Sequence, residues 1–125
     1  MSERTNFLIE EQGRYIAQRD RGHCQKCQRR GWQMAHRIGK GKDNRAMLAN
    51  WLREDGISIG PGVMDLIIHH RWNIVLSCDT CNSSFNIGNN PEMARALLAR
   101  IWDDLILGGK IKYDEVKSIW LLTVK

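Results

Sequence analysis

The sequence is poor in the features that mark membrane-bound or non-globular chains. It has only two prolines among 125 residues and no low-complexity tract, which excludes a collagen-like or disordered chain. No apolar run approaches the ~20 residues that a membrane helix needs, so we expect no membrane partner. No apolar signal-peptide stretch follows Met1 to Arg4, which predicts a cytoplasmic protein. Length and composition predict one domain over residues 1–125.

Acidic residues are scarce in the first third of the chain. Residues 1–45 carry eleven basic and five acidic side chains, whereas residues 46–125 carry eight and nine. A local basic excess suggests a polyanionic partner, most simply DNA, although an ordinary solvated surface is the alternative. The expected phosphate-binding residues are Arg21, Lys26, Arg29, Arg30, Arg37, Lys40, Lys42 and Arg45.

Cysteine occurs at four positions, arranged as two Cys-x-x-Cys pairs, Cys24 with Cys27 and Cys78 with Cys81. Each pair places two sulfurs at a turn, and two such turns complete the tetrahedral tetrathiolate site of a Zn²⁺ ion. Disulfides and free thiols are the alternatives, but cytoplasmic thiols stay reduced, which favours a metal site. Because four thiolates leave no open position for water, the predicted zinc site is structural.

The apolar pattern predicts an α+β fold. The predicted helices lie at residues 5–19, at residues 45–54 and from Pro91 to the stop at Gly108 and Gly109. The predicted strands lie at residues 32–36 and 73–77, each next to a cysteine pair. Two segments stay ambiguous: residues 63–70 are apolar without a clear period, and residues 110–125 fit either a short helix or a strand.

The residues around the cysteine pairs resemble the HNH endonucleases, which have the ββα-metal fold. The resemblance lies in the first cysteine pair, the segment Ala35-His36-Arg37-Ile38, and Asn73 placed five residues before Cys78. It covers about residues 24–90. It implies a small zinc-stapled ββα core with an N-terminal helix, a helix inserted between His36 and Asn73, and a long C-terminal helix.

The resemblance also implies a role for each residue of the pattern. His36 would be the general base that deprotonates water for phosphodiester hydrolysis, and Asn73 would tie the loop that aims it. Asn82, on a helix expected directly after Cys81, would bind one catalytic Mg²⁺ or Mn²⁺ ion through its amide oxygen, with His36 as a further metal contact. This His-Asn-Asn pattern is similar to recombination endonuclease VII and phage HNH nucleases. It implies a DNA endonuclease of phage or prophage origin acting in a bacterial cytoplasm.

The chain departs from the family pattern at two positions. Many members have histidine where this chain has Asn82, and an acidic metal ligand often precedes the base, where this chain has Ala35. Another residue would have to supply that ligand, and the candidates are Asp43, Asp65, His69 and His70. The inserted helix could grip substrate, form a homodimer contact or simply extend the core.

Two other functions fit the same sequence. The first is a catalytically inactive, zinc-stabilised module that binds nucleic acid, which the missing acidic ligand at Ala35 favours. The second is a zinc-structured protein-interaction domain with an incidental basic surface. Metal-dependent plasmid nicking separates the enzyme from both, and a salt-dependent DNA shift separates the second from the first.

Overall fold

The structure is a computed structural model that describes residue 11 and residues 13–108. Helix α1 covers residues 13–19. The remaining elements follow in the order β1 (Gln33–His36), α2 (Lys42–Glu54), α3 (Pro61–Ile68), β2 (Ile74–Ser77), a one-turn 3₁₀ helix (Asn82–Phe85) and α4 (Pro91–Leu107). The α+β class is confirmed. Residues 5–10 of the first predicted helix and the tail at 110–125 lie outside the described residues.

Strands β1 and β2 pair antiparallel and form a two-stranded sheet, with His36 opposite Ile74 and Gln33 opposite Ser77. Ala35 is fully buried, whereas His36, the next residue, is half-buried. Successive side chains of a strand point to opposite faces. The sheet therefore directs His36 away from the side that buries Ala35.

Helix α1 is fastened to this sheet by packing and by polar contacts. Ile16 is fully buried and packs with Ile74 and Leu76 of β2. Asp20, which is 6% exposed, accepts a hydrogen bond from the Leu76 backbone N–H at 2.8 Å and pairs with Arg19 at 2.7 Å. Burial opposes ionisation of Asp20, but these contacts outweigh it and hold the carboxyl pKa below its usual value. The end of α1 is thus fixed beside the first cysteine pair.

Helices α2, α3 and α4 pack around the larger hydrophobic cluster. Its fully buried members include Leu48 of α2, Ile67 and Ile68 of α3, and Ile101 of α4. Residues 63–68 of the ambiguous segment belong to α3, and His69 and His70 follow the helix. Helix α3 begins with Pro61, at a position where the missing N–H of proline costs nothing. None of the described helices is long and apolar enough to cross a membrane.

The long C-terminal helix is confirmed with the expected cap. The Met93 backbone N–H donates to Oδ1 of Asn90 at 3.2 Å, and Gly108 follows the last helical residue, Leu107. The inserted helix is also confirmed, but α2 begins at Lys42 rather than at residue 45. Gly41, in an extended conformation, provides the N-terminal boundary in place of a side-chain cap.

The helix expected directly after the second cysteine pair is only one 3₁₀ turn. The backbone N–H and the hydroxyl of Ser84 both donate to the Cys81 carbonyl, at 3.0 and 2.6 Å, which closes a tight turn. Its last residue is Phe85, and α4 starts only at Pro91. The residue before a proline disfavours helical backbone, so Asn90 separates the two elements. Asn82 therefore begins a short turn and does not lie on an α-helix.

Candidate functional site

The four cysteines come together although about fifty residues separate the two pairs in sequence. The Sγ atoms of Cys24, Cys27, Cys78 and Cys81 all lie within 4.8 Å of one another. Those of Cys27 and Cys78 are 3.7 Å apart. A tetrahedron with Zn–S bonds of ~2.3 Å has an edge of about 3.8 Å, so the sulfur positions fit a zinc ion. The group can hold a metal ion such as zinc.

Backbone contacts place the first cysteine pair against β2. The Gln25 N–H donates to the Leu76 carbonyl at 3.0 Å, and the Cys24 N–H donates to the Arg29 carbonyl at 2.7 Å. Gly31 passes so close to this turn that an added Cβ would lie 2.8 Å from the Cys24 nitrogen and from Leu76 Cγ. Only glycine fits there, because any side chain would push the first pair away from the second.

The surroundings of Cys24 lower the pKa of its thiol and so favour the thiolate. Burial opposes the thiolate, but hydrogen bonds from the backbone N–H groups of Cys27, Cys78 and Lys26 outweigh burial and lower the pKa of Cys24 to about 6. Hydrogen bonds with neighbouring cysteines, Cys78 first, raise the pKa of Cys81 to about 12. Binding of a metal ion to these thiols would release their protons, because the thiolate is the form that binds the metal.

His36 and Asn82 line one surface cleft of about 310 Å³, together with Lys40, Ser83 and Asn86. Met34 and Gly39 complete its lining. Nδ2 of Asn82 donates to Oε1 of Gln33 at 2.8 Å, which fixes the amide against β1. Burial lowers the pKa of His36 to about 4, and repulsion from a protonated His69 and from Lys40 acts in the same direction. The His36 ring is therefore neutral at pH 7.

Asn73 is 1% exposed and joins two backbone segments. Its Oδ1 accepts a hydrogen bond from the Ile38 N–H at 2.8 Å, and its Nδ2 donates to the carbonyls of Ile38 at 3.0 Å and Ile68 at 2.7 Å. The Arg37 N–H also donates to the Asn73 carbonyl at 2.7 Å. These bonds fix the backbone directly after His36 to the end of α3.

No family model, no curated protein and no solved structure matches this chain.

The four candidates for the missing acidic ligand occupy different surroundings. His69 reaches the site, since its Nδ1 lies 3.1 Å from Nε2 of His36. His70 faces the other way and is buried, with its Nε2 2.7 Å from Oδ2 of Asp104 on α4. Asp65 is paired with Arg45 at 2.9 Å. Asp43, the fourth candidate, is exposed on the first turn of α2.

The surroundings of Ala35 explain why no carboxylate occupies this position. Its side chain is fully buried on the opposite side of β1 from His36. An ionised side chain placed there would lose its hydration without a partner. In this fold the residue before His36 belongs to the interior and does not reach the cleft.

The basic residues predicted to contact phosphate do not form one uniform surface. Arg29, Arg30, Lys40 and Lys42 are exposed, and Lys40 lines the cleft itself. The Arg45 guanidinium is engaged by Asp65 and by the Lys40 carbonyl. The half-buried Arg37 lines a separate small cleft beside Arg100. Of the predicted phosphate-binding residues, Lys40 is thus the one that lines the cleft of His36 and Asn82.

Sequence reasoning left Ser83 and Asn86 out of the site, and it did not place His69 beside His36. Both residues follow the second cysteine pair within a short segment that is polar except for Phe85, and that polarity was the available signal. The partner of His36 depends on where α3 ends in space. No spacing along the chain encodes that position.

Proposed function

We propose that this protein is a zinc-stabilised, metal-dependent DNA endonuclease. The observation that carries the proposal is the cleft in which a neutral His36, the Asn82 amide and Lys40 lie together. Such a set combines a proton acceptor, an oxygen ligand for a hard cation and a positive charge for phosphate.

The neighbouring contacts support the same proposal. The cysteine group fixes the turn that precedes Asn82, and Asn73 fixes the backbone that follows His36. Among the described residues, the Asn82 amide makes one hydrogen bond, through its nitrogen. Its oxygen is available to a cation. A preorganised base and ligand on rigid elements are what hydrolysis at a fixed phosphate needs.

In the proposed reaction His36 takes a proton from a water molecule as the water oxygen attacks phosphorus. The bond from phosphorus to the leaving oxygen breaks, the leaving oxygen takes a proton from solvent, and Lys40 binds a neighbouring phosphate oxygen. One divalent cation, bound through Asn82, would supply charge neutralisation at the phosphate. Burial keeps His36 unprotonated at neutral pH, and the approach of a phosphate anion would raise its low pKa toward the working range.

Nicking of supercoiled plasmid by the zinc-loaded protein tests this function. The reaction is run in metal-free buffer with and without added Mg²⁺ or Mn²⁺, because EDTA would also remove zinc from the cysteines. His36→Ala should reduce the rate by the ~10²–10⁴-fold typical of losing a general base. His23→Ala, the same change at an exposed histidine, is the matched control. Wild-type protein that nicks no DNA form with either metal would contradict the proposal.

One observation favours a second function, a zinc-stabilised module that binds DNA without cutting it. The residues that line the cleft include no carboxylate, and Lys40 disfavours a bare cation there. Such a module would shift DNA in a salt-dependent manner but leave plasmid intact at every metal concentration. His36→Ala would then change neither property.

A further inference from the structure

Two histidines from distant parts of the sequence meet at the proposed site. Nε2 of His36, at the end of β1, lies 3.1 Å from Nδ1 of His69, directly after α3. The ring planes are nearly perpendicular, at 79°, with centroids 5.1 Å apart. The separation is that of a hydrogen bond, in which one ring donates and the other accepts.

The same buried amide controls the approach of both rings. Asn73 bonds the N–H and the carbonyl of Ile38, two residues after His36. It also bonds the carbonyl of Ile68, one residue before His69. Three hydrogen bonds from one side chain therefore set the backbones that carry the two imidazoles. The pairing is built into the fold and does not depend on a flexible surface contact.

We propose that His69 is a positioning residue that holds the His36 ring in one orientation and one tautomer. This inference rests on the proposed function, in which His36 is the base. For His36 to act as the base, its Nε2 must donate to Nδ1 of His69, so that the proton stays on Nε2 and Nδ1 of His36 accepts the proton from water. The inserted segment would then complete the site, because α3 delivers the partner that β1 and β2 do not contain.

The surrounding charges favour a hydrogen bond over a metal ion shared by the two rings. Lys40 and Arg45 both disfavour positive charge on His36. The carboxylate that favours positive charge on His69, that of Asp65, is already paired with Arg45 at 2.9 Å. A cation between the rings would face two basic groups with only a neutralised acid beside it.

The test compares His69→Ala with His69→Asn in the zinc-loaded full chain. The asparagine amide occupies about the place of Nδ1 and can keep the hydrogen bond, whereas alanine removes it. Nitrogen-15 spectra of the imidazole rings report the His36 tautomer, with the exposed His23 as internal reference. We expect one tautomer in the wild type, a mixture in His69→Ala, and one tautomer again in His69→Asn.

The activity readout runs in parallel. His69→Ala should lower the kcat for nicking by the ~10–100-fold seen when a supporting residue is lost, with KM little changed, and His69→Asn should recover most of it. A folded His69→Ala protein with a single His36 tautomer and wild-type kcat would overturn the inference. So would a folded His69→Asn protein that behaves like alanine. If the wild type does not nick DNA, the proposed function fails, and the tautomer spectra still decide the pairing.

Discussion

Replacing Asn73 by alanine should weaken the fold more than any other asparagine change near the site. The side chain is 1% exposed and makes three hydrogen bonds to backbone atoms of Ile38 and Ile68. Alanine leaves one buried N–H and two buried carbonyls without these partners. Each unsatisfied buried group costs ~1–3 kcal/mol, and carbonyls with a second partner lie at the low end, so we expect a loss of about 3–5 kcal/mol.

That loss is a large part of the ~5–15 kcal/mol by which native domains are stable. At ~3–5 °C per kcal/mol for a chain of this size, Tm should fall by about 10–20 °C. Thermal unfolding is followed by circular dichroism at a fixed excess of zinc. Hydrogen exchange of the Ile38 amide gives a local measure, because its acceptor is removed. Protection at Ile38 should be lost before the rest of the chain opens.

Asn82→Ala is the matched control for Asn73→Ala. Asn82 is half-buried and its amide makes a single side-chain hydrogen bond, to Gln33, so its loss should cost ~1 kcal/mol or less. If both variants lose the same few degrees and the Ile38 amide stays protected, Asn73 does not hold the two segments together. The account of the site as built on that amide would then be wrong.

Three further outcomes follow from the structure. Cys78→Ser should release zinc and largely unfold the chain, because the free energy of metal binding at such a site contributes to folding. Metal analysis and circular dichroism test this, and a zinc-free variant with unchanged Tm would contradict it. Replacing Lys40 and Lys42 together by alanine should make the slope of log affinity for DNA against log salt shallower by roughly 2, because two phosphate contacts are lost. Gel-shift titrations measure this slope, and an unchanged slope would show that these two lysines do not contact DNA. Burial lowers the pKa of His70 in the fold, so the unfolded chain binds the proton more readily and stability should fall as pH drops below 6.5. Denaturant titrations at pH 7.5 and 5.5 check the sign, and His70→Asn should reduce the difference, with the remainder coming from His36 and His69, whose pKa values are also lowered.

The elements that local signals specify were predictable from the sequence. Asn90 followed by Pro91 fixes the start of α4, since the asparagine caps and the proline lacks only an N–H that the helix does not need there. The two cysteine pairs likewise predicted their own meeting, because two Cys-x-x-Cys turns together supply the four thiolates of a tetrahedral zinc site. The class and the metal-binding group therefore came from short-range pattern and chemistry.

The expectation of a helix directly after Cys81 was wrong, because the local sequence pattern was not sufficient to predict the structure of this segment. The polar run after the second pair carries no helical periodicity, and Ser84 closes a 3₁₀ turn onto the Cys81 carbonyl. Residues 63–70 were ambiguous for the opposite reason. A segment that is apolar on nearly every side shows no period, and packing against α2 and α4 decides its state.

The sequence by itself determined the candidate metal ligands, the two Cys-x-x-Cys pairs, and its resemblance to the HNH endonucleases implied His36, Asn73 and Asn82 as site residues. Only the tertiary structure decided their surroundings. In the fold the side chain of Ala35 is buried, and Asp65 pairs with Arg45. His70 contacts Asp104, whereas His69 contacts His36. The physical reason is that each of these contacts joins chain segments about twenty or more residues apart, or depends on which face of a strand is buried. Such choices follow from the packing of whole elements and from buried hydrogen bonds, which no local spacing encodes.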